Sequence, residues 1–387
     1  MKKFLRNSRV ISPLSFFHSI KKGSYQVLHV NSKPYIKPSL YSRVKKDGTL
    51  IIGVTPQDAI ELSNVDQLQT NLLTLLDGGL TVGEITEVLG EKGYDIDIDD
   101  VLHILNQLYE YKIVEDNLLF LNDETISSEV KTRFDRQLLL FSALDKKGYE
   151  GAVQVQQKLQ NAHITLIGIG GVGSYIFYAL AAMGIGKLTV VEFDHVETSN
   201  LSRQILYNEQ DIGMPKIDVA EQKGKLINSG VEYEYINKQI KSPKDFEEVI
   251  KGADLAILAA DIPRGKISYW MDEAAHNQNV PFLQVGSAHT VALCGPIIIP
   301  GQTPRWKDTF PEETTEDHPV TEFINSRYKP AIIDPYNATA ASIAALEAVK
   351  FLTDFSECQI INRRWFMDLS TLETYFQEIE VKENVEI

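Results

Sequence analysis

Two periodicities divide this chain. Over residues 25–54 the apolar residues come in short runs, "YQVLHV", "YIKPSLYSRV" and "TLIIGV", which predict strands. "KKDG" between the second and third has the composition of a tight hairpin turn. After Pro56 the spacing turns helical. "VDQLQTNLLTLLDGG" sets Leu68, Leu72, Leu75 and Leu76 on one stripe and stops at Gly78 and Gly79. "TVGEITEVLGEKG" has Thr81 three residues ahead of Glu84, the spacing of a capping box, and ends at Gly93. "DIDDVLHILNQLYEYKIVED" reads as a third amphipathic helix running into a short strand. Strands followed by helices predict a small α+β, winged-helix-like domain over residues 1–121, and the polar "NDETISSEVK" (122–131) reads as a linker.

From about residue 160 strands and helices alternate. "ITLIGI", "KLTVVEFD", "VEYEYI", "DLAILAAD" and "PFLQVGS" are candidate strands, several separated by helical segments. That order predicts an α/β domain over 132–387, a doubly wound, Rossmann-like, mainly parallel sheet. "PIIIPGQTP" and "RRWFMDLSTLETYFQEIEV" suggest further strands, and "NATAASIAALEAVKFLTDF" a helix. The Gly-Pro punctuation inside 286–304 predicts an irregular region.

Composition narrows the function. The 387 residues are 43% hydrophobic and 24% charged, ordinary for a globular chain and enough for two domains. A net charge of -15 repels nucleic acid and anionic membranes, so neither is expected as a partner. No apolar run approaches the roughly 20 residues of a membrane span. The N-terminal apolar patch is broken by Pro13 and lacks a small-residue cleavage site, so it does not read as a signal peptide, and a cytoplasmic location is expected. Two cysteines, Cys294 and Cys358, exclude a disulfide framework and an all-cysteine zinc site.

The candidate chemistry begins at "GIGGVGS", residues 168–174, between a strand and a helix. Gly168, Gly170 and Gly173 satisfy G-x-G-x-x-G, which lets backbone approach a phosphate at a helix N-terminus. Glu192 ends the next strand, where a carboxylate accepts hydrogen bonds from ribose hydroxyls. This much fits a nicotinamide or flavin dehydrogenase, another nucleotide enzyme, or a glycine turn without a ligand. The continuation "VVEFDHVETSNLSRQILYNEQDIGMPK" adds Asn200, Arg203 and Lys216. An arginine and a lysine beside a mononucleotide suit a triphosphate attacked at its α-phosphorus, because they neutralise charge that leaves on pyrophosphate.

With glycine loop, acidic residue, N-L-x-R-Q and G-x-P-K in that order, the sequence resembles the ThiF/MoeB/HesA family and the ubiquitin-activating enzymes. These adenylate the C-terminal carboxylate of a polypeptide. The resemblance implies nucleotide contacts from Gly168, Gly170, Gly171, Gly173, Glu192, Asn200, Arg203 and Lys216. It extends to "RFDRQLLL", implying that Arg136 reaches the partner subunit's nucleotide in a homodimer. In "LAILAADIPRGKISYW" it implies that Asp261 helps hold Mg²⁺ with the triphosphate. Catalytic roles thus fall to Arg203, Lys216, Asp261 and Arg136. The family more often has aspartate where this chain has Glu192.

The N-terminal domain resembles the PqqD-like peptide-recognition fold, in which a peptide pairs with a sheet edge. That combination resembles the MccB-like, microcin-C-type peptide nucleotidyltransferases, which implies a short ribosomal precursor peptide ending in asparagine as substrate. ATP or CTP would activate its C-terminal carboxylate, a succinimide would form, and the imide nitrogen would then be nucleotidylated. The alternatives are a ThiF/MoeB-type adenylyltransferase acting on a sulfur-carrier or ubiquitin-like protein, and a non-catalytic leader-peptide scaffold. Cys294, in the apolar "VALCGP", reads as a buried structural cysteine, and no covalent enzyme intermediate is expected. Many relatives bind a structural zinc through cysteine pairs. Here "PGQTPRWKD" has Arg305 and Lys307 instead, so no zinc is expected, and packing or salt bridges would hold the segment. His289, at a strand end, reads as a loop histidine or a substrate contact.

Overall fold

A computed structural model describes residues 9–11, 27–54, 59–145, 147–310 and 319–379. Its contacts divide the chain into two compact units, 1–154 and 155–387.

In the first unit, strands β1 (Arg9–Ile11), β2 (Pro34–Ile36), β3 (Ser42–Val44), β4 (Leu50–Ile52), β5 (Ile60–Leu62) and β6 (Val114–Asp116) form two sheets, β1-β5-β4-β3 and β2-β6. The hairpin falls where "KKDG" predicts it. Gly48, at φ +85°, donates its N–H to the Lys45 carbonyl at 3.0 Å, and Thr49 N–H donates to Asp47 Oδ1. "YIKPSLYSRV" is two strands rather than one. Pro38 has no N–H to give a ladder, and β2 and β3 enter different sheets on either side of it.

The expected strand "YQVLHV" is a correction. Residues 25 and 26 lie outside the described residues, and 27–30 form no strand. The N–H groups of Val27 and Leu28 go instead to Asn106 Oδ1 at 3.0 and 3.1 Å. β5 was not anticipated, although Ile60 and Leu62 are buried on either side of half-buried Glu61.

Helices α1 (Gln67–Thr74), α2 (Val82–Glu91) and α3 (Ile98–Glu110) each open with a capping box, at Asp66–Gln69, Thr81–Glu84 and Asp97–Asp100. Their apolar faces meet over Leu72, Ile85, Leu89, Leu105 and Leu108. Helix Ser128–Arg133 occupies part of the stretch read as a linker, and α4 (Asp135–Leu144) follows. An ion pair is buried between the β2-β6 ribbon and α4. Lys37 Nζ lies 2.6 Å from Glu115 Oε1, both residues at most 4% exposed. Ser142 Oγ on α4 donates to the same oxygen at 2.8 Å, and Tyr35 OH donates to Oε2 at 3.3 Å.

The second unit is the expected doubly wound sheet. β7 (His163–Ile167), β8 (Lys187–Glu192), β9 (Glu232–Asn237), β10 (Leu255–Leu258), β11 (Phe282–Ala288), β12 (Val291–Ile298), β13 (Arg363–Asp368) and β14 (Glu373–Glu378) run in the order β14-β13-β12-β11-β10-β7-β8-β9. Pairing is parallel from β9 through β11 and antiparallel from β11 to β14. α5 (Gly171–Met183), α6 (Lys216–Ile227) and α9 (Asp334–Thr353) bury their apolar residues in one core. α7 (Pro243–Ile250) and α8 (Ile267–Gln278) bury theirs in the other.

The irregular region predicted inside 286–304 is corrected in part. β11 and β12 pair there as an antiparallel ladder, from Phe282↔Ile298 to Ala288↔Val291, and the register shifts between Leu283 and Val285, opposite Gly295 and Pro296. Burial holds the ladder on either side of that shift, because Ala292, Cys294, Ile297 and Ile298 all sit in the core. The following segment is tied to α8. Arg305 Nε and Nη2 each lie 3.0 Å from Asp272 Oδ2, and Trp306 N–H donates to Oδ1 at 2.9 Å, with Asp272 only 2% exposed.

Replacing Lys37 by Met leaves Glu115 buried without its cation. Such a break costs about 3–5 kcal/mol, whereas an apolar pair of similar volume restores most of it. Urea unfolding followed by circular dichroism is therefore expected to show a large loss for Lys37→Met and recovery in Lys37→Met/Glu115→Leu. A single-variant loss under about 1 kcal/mol contradicts this account.

Candidate active site

β7 ends at Ile167 and the chain turns through Gly168, at φ +87°, into α5. A side chain at Gly168 would meet the Ala259 carbonyl and Ala260 Cβ, both 3.0 Å away, and one at Gly173 would collide with the Gly168 carbonyl. Glycine at these two positions therefore sets how closely α5 and β10 approach the turn. At Gly171 a Cβ would strike the Asn337 side chain, whereas at Gly170 only Gln204 Nε2 lies within reach, at 3.8 Å. No side chain caps α5, so its first N–H groups face the cavity beside Gly170 and Gly171. Tyr207 OH closes the turn from the other side by donating to the Ile169 carbonyl at 2.9 Å.

The cavity has a volume of about 510 Å³ and lies at the C-terminal ends of β7, β8, β10 and β11. β7 and β10 are neighbours where the strand order reverses, the place at which doubly wound sheets bind ligands. Its lining includes Gly168, Gly170, Gly171, Glu192, Arg203, Lys216 and Asp261 from the residues anticipated in sequence. Five cations line it (Arg203, Lys216, Lys238, Arg264, Arg364) against three carboxylates (Glu192, Asp194, Asp261). Lys238 is also paired with Asp245 and Glu248 and Arg264 with Asp261, which leaves Arg203, Lys216 and Arg364 to attract an anion into a chain of charge -15.

Lys216 is the first residue of α6 and only 5% exposed. Its Nζ has Asp194 Oδ2 at 3.5 Å, a long contact that leaves ammonium donors for an anion. Arg203 gives one N–H to the Ser199 carbonyl at 2.6 Å, which fixes the side chain and keeps further guanidinium donors for a ligand. Asp261 is exposed and pairs with Arg264, whose guanidinium carbon stacks 4.4 Å from the Tyr328 ring centre. Among the described residues no cluster of three or more His, Cys, Asp or Glu could hold a metal. A carboxylate such as Asp261 at a phosphate site fits Mg²⁺ as it usually binds nucleotides, through one or two protein carboxylates and the phosphates themselves.

Glu192 is more committed than the sequence implies. Its Oε2 accepts from Ile169 N–H at 3.1 Å, and its Oε1 accepts from Phe193 and Asp194 N–H at 2.8 and 3.0 Å. Asn200 and Gly173 do not line the cavity. Asn200 is 6% exposed, and its Oδ1 caps the local turn by accepting from Glu197 N–H at 3.1 Å. His289 is exposed at the β11–β12 turn, with φ +51°, and is also outside the cavity. Arg136 lies on α4 in the first unit with its side chain 84% exposed.

Several lining residues were not anticipated. Gln204 and Asn337 are buried, and Ser287 Oγ donates to Asn337 Oδ1 at 2.6 Å. Gln204 stands in the quoted N-L-x-R-Q motif, so a signal for it was present. Asn337 reaches the glycine turn from α9, some 160 positions away, and no local pattern announces that.

A mononucleotide turn with two cations at the switch point of a doubly wound sheet defines an α/β nucleotide enzyme. Residues 134–386, more than half of the chain, match the ThiF family, and the chain belongs to it. It is 27% identical over 225 residues to the molybdopterin-synthase adenylyltransferase of Haemophilus influenzae, covering 58% of this chain and 85% of that one. It is 28% identical over 267 residues to the sulfur carrier protein adenylyltransferase of Thermus thermophilus, covering 67% and 90%. Among solved structures, E. coli MccB with a succinimide matches at a TM-score of 0.72 and 24% identity, over 91% of this chain and 98% of that one. The chain is thus an adenylyltransferase of the ThiF/MoeB kind. No helix among its described residues is long and apolar enough to cross a membrane.

Neither cysteine is placed as a nucleophile. Cys294 is fully buried, and burial pushes its thiol well up; burial likewise raises Cys358 to about 12. A thiol at 12 exposes about three orders of magnitude less thiolate at pH 8 than a free cysteine at 8.5. Iodoacetamide at pH 8 is therefore expected to leave both unlabelled in the native chain, to leave activity intact, and to label both in urea. Rapid native labelling that abolishes turnover refutes this placement.

Proposed function

We propose that the chain is a peptide nucleotidyltransferase. It activates the C-terminal carboxylate of a short ribosomal peptide with ATP or CTP and releases pyrophosphate, leaving a nucleotidylated, nitrogen–phosphorus-linked peptide antibiotic. One observation carries the reading beyond adenylation in general. The likeness to MccB spans 91% of the chain, so at most about a tenth lies outside it, and the match must include most of the first unit. The family match begins only at residue 134. MccB has been solved with ATP, with a succinimide and with N-formylated MccA, a nucleotide, an imide and a peptide for one fold.

The cavity's lining supports the following roles. The glycine turn and the start of α5 hold the phosphates, and Arg203 and Lys216 neutralise the charge that moves onto pyrophosphate as the carboxylate oxygen attacks the α-phosphorus. Asp261 would hold Mg²⁺ with the triphosphate, and the ion would supply charge neutralisation for the reacting phosphates. Attack of the terminal asparagine's amide nitrogen on the acyl carbon expels the nucleoside monophosphate and closes the succinimide. The imide nitrogen then displaces pyrophosphate from a second triphosphate. Nothing in this sequence needs an enzyme thiol, in keeping with the two cysteines. The chain acts as a homodimer in which Arg136 serves the partner's nucleotide. Transfer to a sulfur-carrier protein is the second reading, favoured by the names of the sequence relatives.

The test is direct. A short peptide ending in asparagine, incubated with the protein, Mg²⁺ and ATP or CTP, is expected to gain the mass of a nucleoside monophosphate. Lys216→Ala is expected to slow this by about 10²–10³-fold. An unchanged rate sinks the assignment of Lys216. No mass gain, with activation of a Gly-Gly-tailed carrier protein instead, establishes the second reading.

A further inference from the structure

Arg364 is left over from the roles above. It projects from β13 into the same cavity, and its guanidinium carbon lies 5.0 Å from the Phe366 ring centre, 5.1 Å from Phe310 and 5.7 Å from Trp306. Its Nε is buried without a hydrogen-bond partner, and no carboxylate among the described residues pairs with it. Gln284, on β11, lines the cavity too, and its Oε1 is also buried and unpartnered. A cation and an acceptor withdrawn from water and left open cost stability unless a ligand completes them.

We infer that Arg364 and Gln284 form a recognition subsite for the substrate's terminal residue, Arg364 holding its carboxylate and Gln284 Oε1 accepting from its side-chain amide. Arg364 comes from β13 and Gln284 from β11, whereas the phosphate cradle is built by the glycine turn, α5 and α6. The two sets of groups thus meet in one cavity from different elements, as a carboxylate brought to an α-phosphorus requires. Chemistry selects the ligand. The aromatic rings hold the guanidinium by its faces and leave its edge, with paired N–H groups, for a planar carboxylate. Lys238 and Arg264 are already paired with carboxylates, whereas Arg364 has none among the described residues, so an anionic group is what completes it. A terminal residue with a carboxylate and a primary amide matches both open groups. The subsite deepens the peptide reading above and rests on it.

The experiment compares wild type, Arg364→Met, Arg364→Lys and Gln284→Leu for the KM of an asparagine-terminated peptide and the KM of ATP, with thermal midpoints as a check on folding. Arg364→Met is expected to raise the peptide KM by roughly tenfold or more with the ATP KM within about twofold, and Arg364→Lys to recover part of the loss. By calorimetry, wild type is expected to bind the free-acid peptide more tightly than its C-terminal amide, a preference that Arg364→Met abolishes. Gln284→Leu is expected to weaken the asparagine peptide more than the aspartate-terminated one. A rise in ATP KM alone makes Arg364 a phosphate ligand and overturns the inference, and so does an unchanged peptide KM. If Arg364→Met does not fold, Gln284→Leu decides: an unaltered preference for asparagine over aspartate refutes the subsite. Failure of the peptide reading itself shows separately, as wild type that leaves the asparagine peptide unmodified. The Arg364 comparison then runs on whichever polypeptide tail wild type activates.

Discussion

The Gly168 carbonyl lies so close to the Gly173 α-carbon that no side chain fits between them, and the arrangement around the cavity follows from this backbone approach. It brings the uncapped start of α5 against the ends of β7 and β10, so that free N–H groups meet the strand-end residues on either side. Lys216 and Arg203 come from the other side, where the β8 end and the turn beyond it place them at the same opening. A Cβ at either glycine would push helix and strand apart and separate these groups.

Around that contact the charge is arranged against the average of the chain. A net charge of -15 is spread over the molecule, while the cavity gathers more cations than carboxylates. Lys238 and Arg264 are paired with carboxylates, but the structure keeps the other three available by giving each an incomplete partner: a long contact for Lys216, one carbonyl for Arg203, aromatic rings for Arg364. Cations fully paired within the protein would bind phosphate or carboxylate poorly, since the existing pair would first have to break. Elsewhere the chain uses complete pairs where rigidity is needed, as at Lys37–Glu115 and Arg305–Asp272.

Much of this was legible in the sequence, because it rests on local rules. The glycine spacing, the alternation of strands and helices, the Thr81–Glu84 capping box and the "KKDG" hairpin each depend on residues close together in the chain. What was not legible depends on distant ones. "YQVLHV" looks like a strand until Asn106, nearly eighty positions away, takes its N–H groups. The stretch 286–304 looks irregular throughout, yet core burial confines the irregularity within the ladder to a register shift opposite Gly295 and Pro296. Arg364 looks like one charge in a C-terminal strand until three rings and a cavity gather around it. Asn200 and Glu192 were legible as members of a motif, but their bonds to backbone could not be read from it.

Those Glu192 bonds bear on how the site meets its ligand. One carboxylate fastens the glycine turn at Ile169 and the β8 exit at Phe193 and Asp194, so two loops that flank the nucleotide behave as a single body. Binding on this side then orders little that was loose, and the entropy of assembling the phosphate cradle is largely settled during folding. The opposite wall is built differently, because Arg264, Tyr328 and Asp261 interact there through exposed side chains. One wall of the cavity is thus tied by backbone bonds to a buried carboxylate, and the other rests on side-chain contacts open to water.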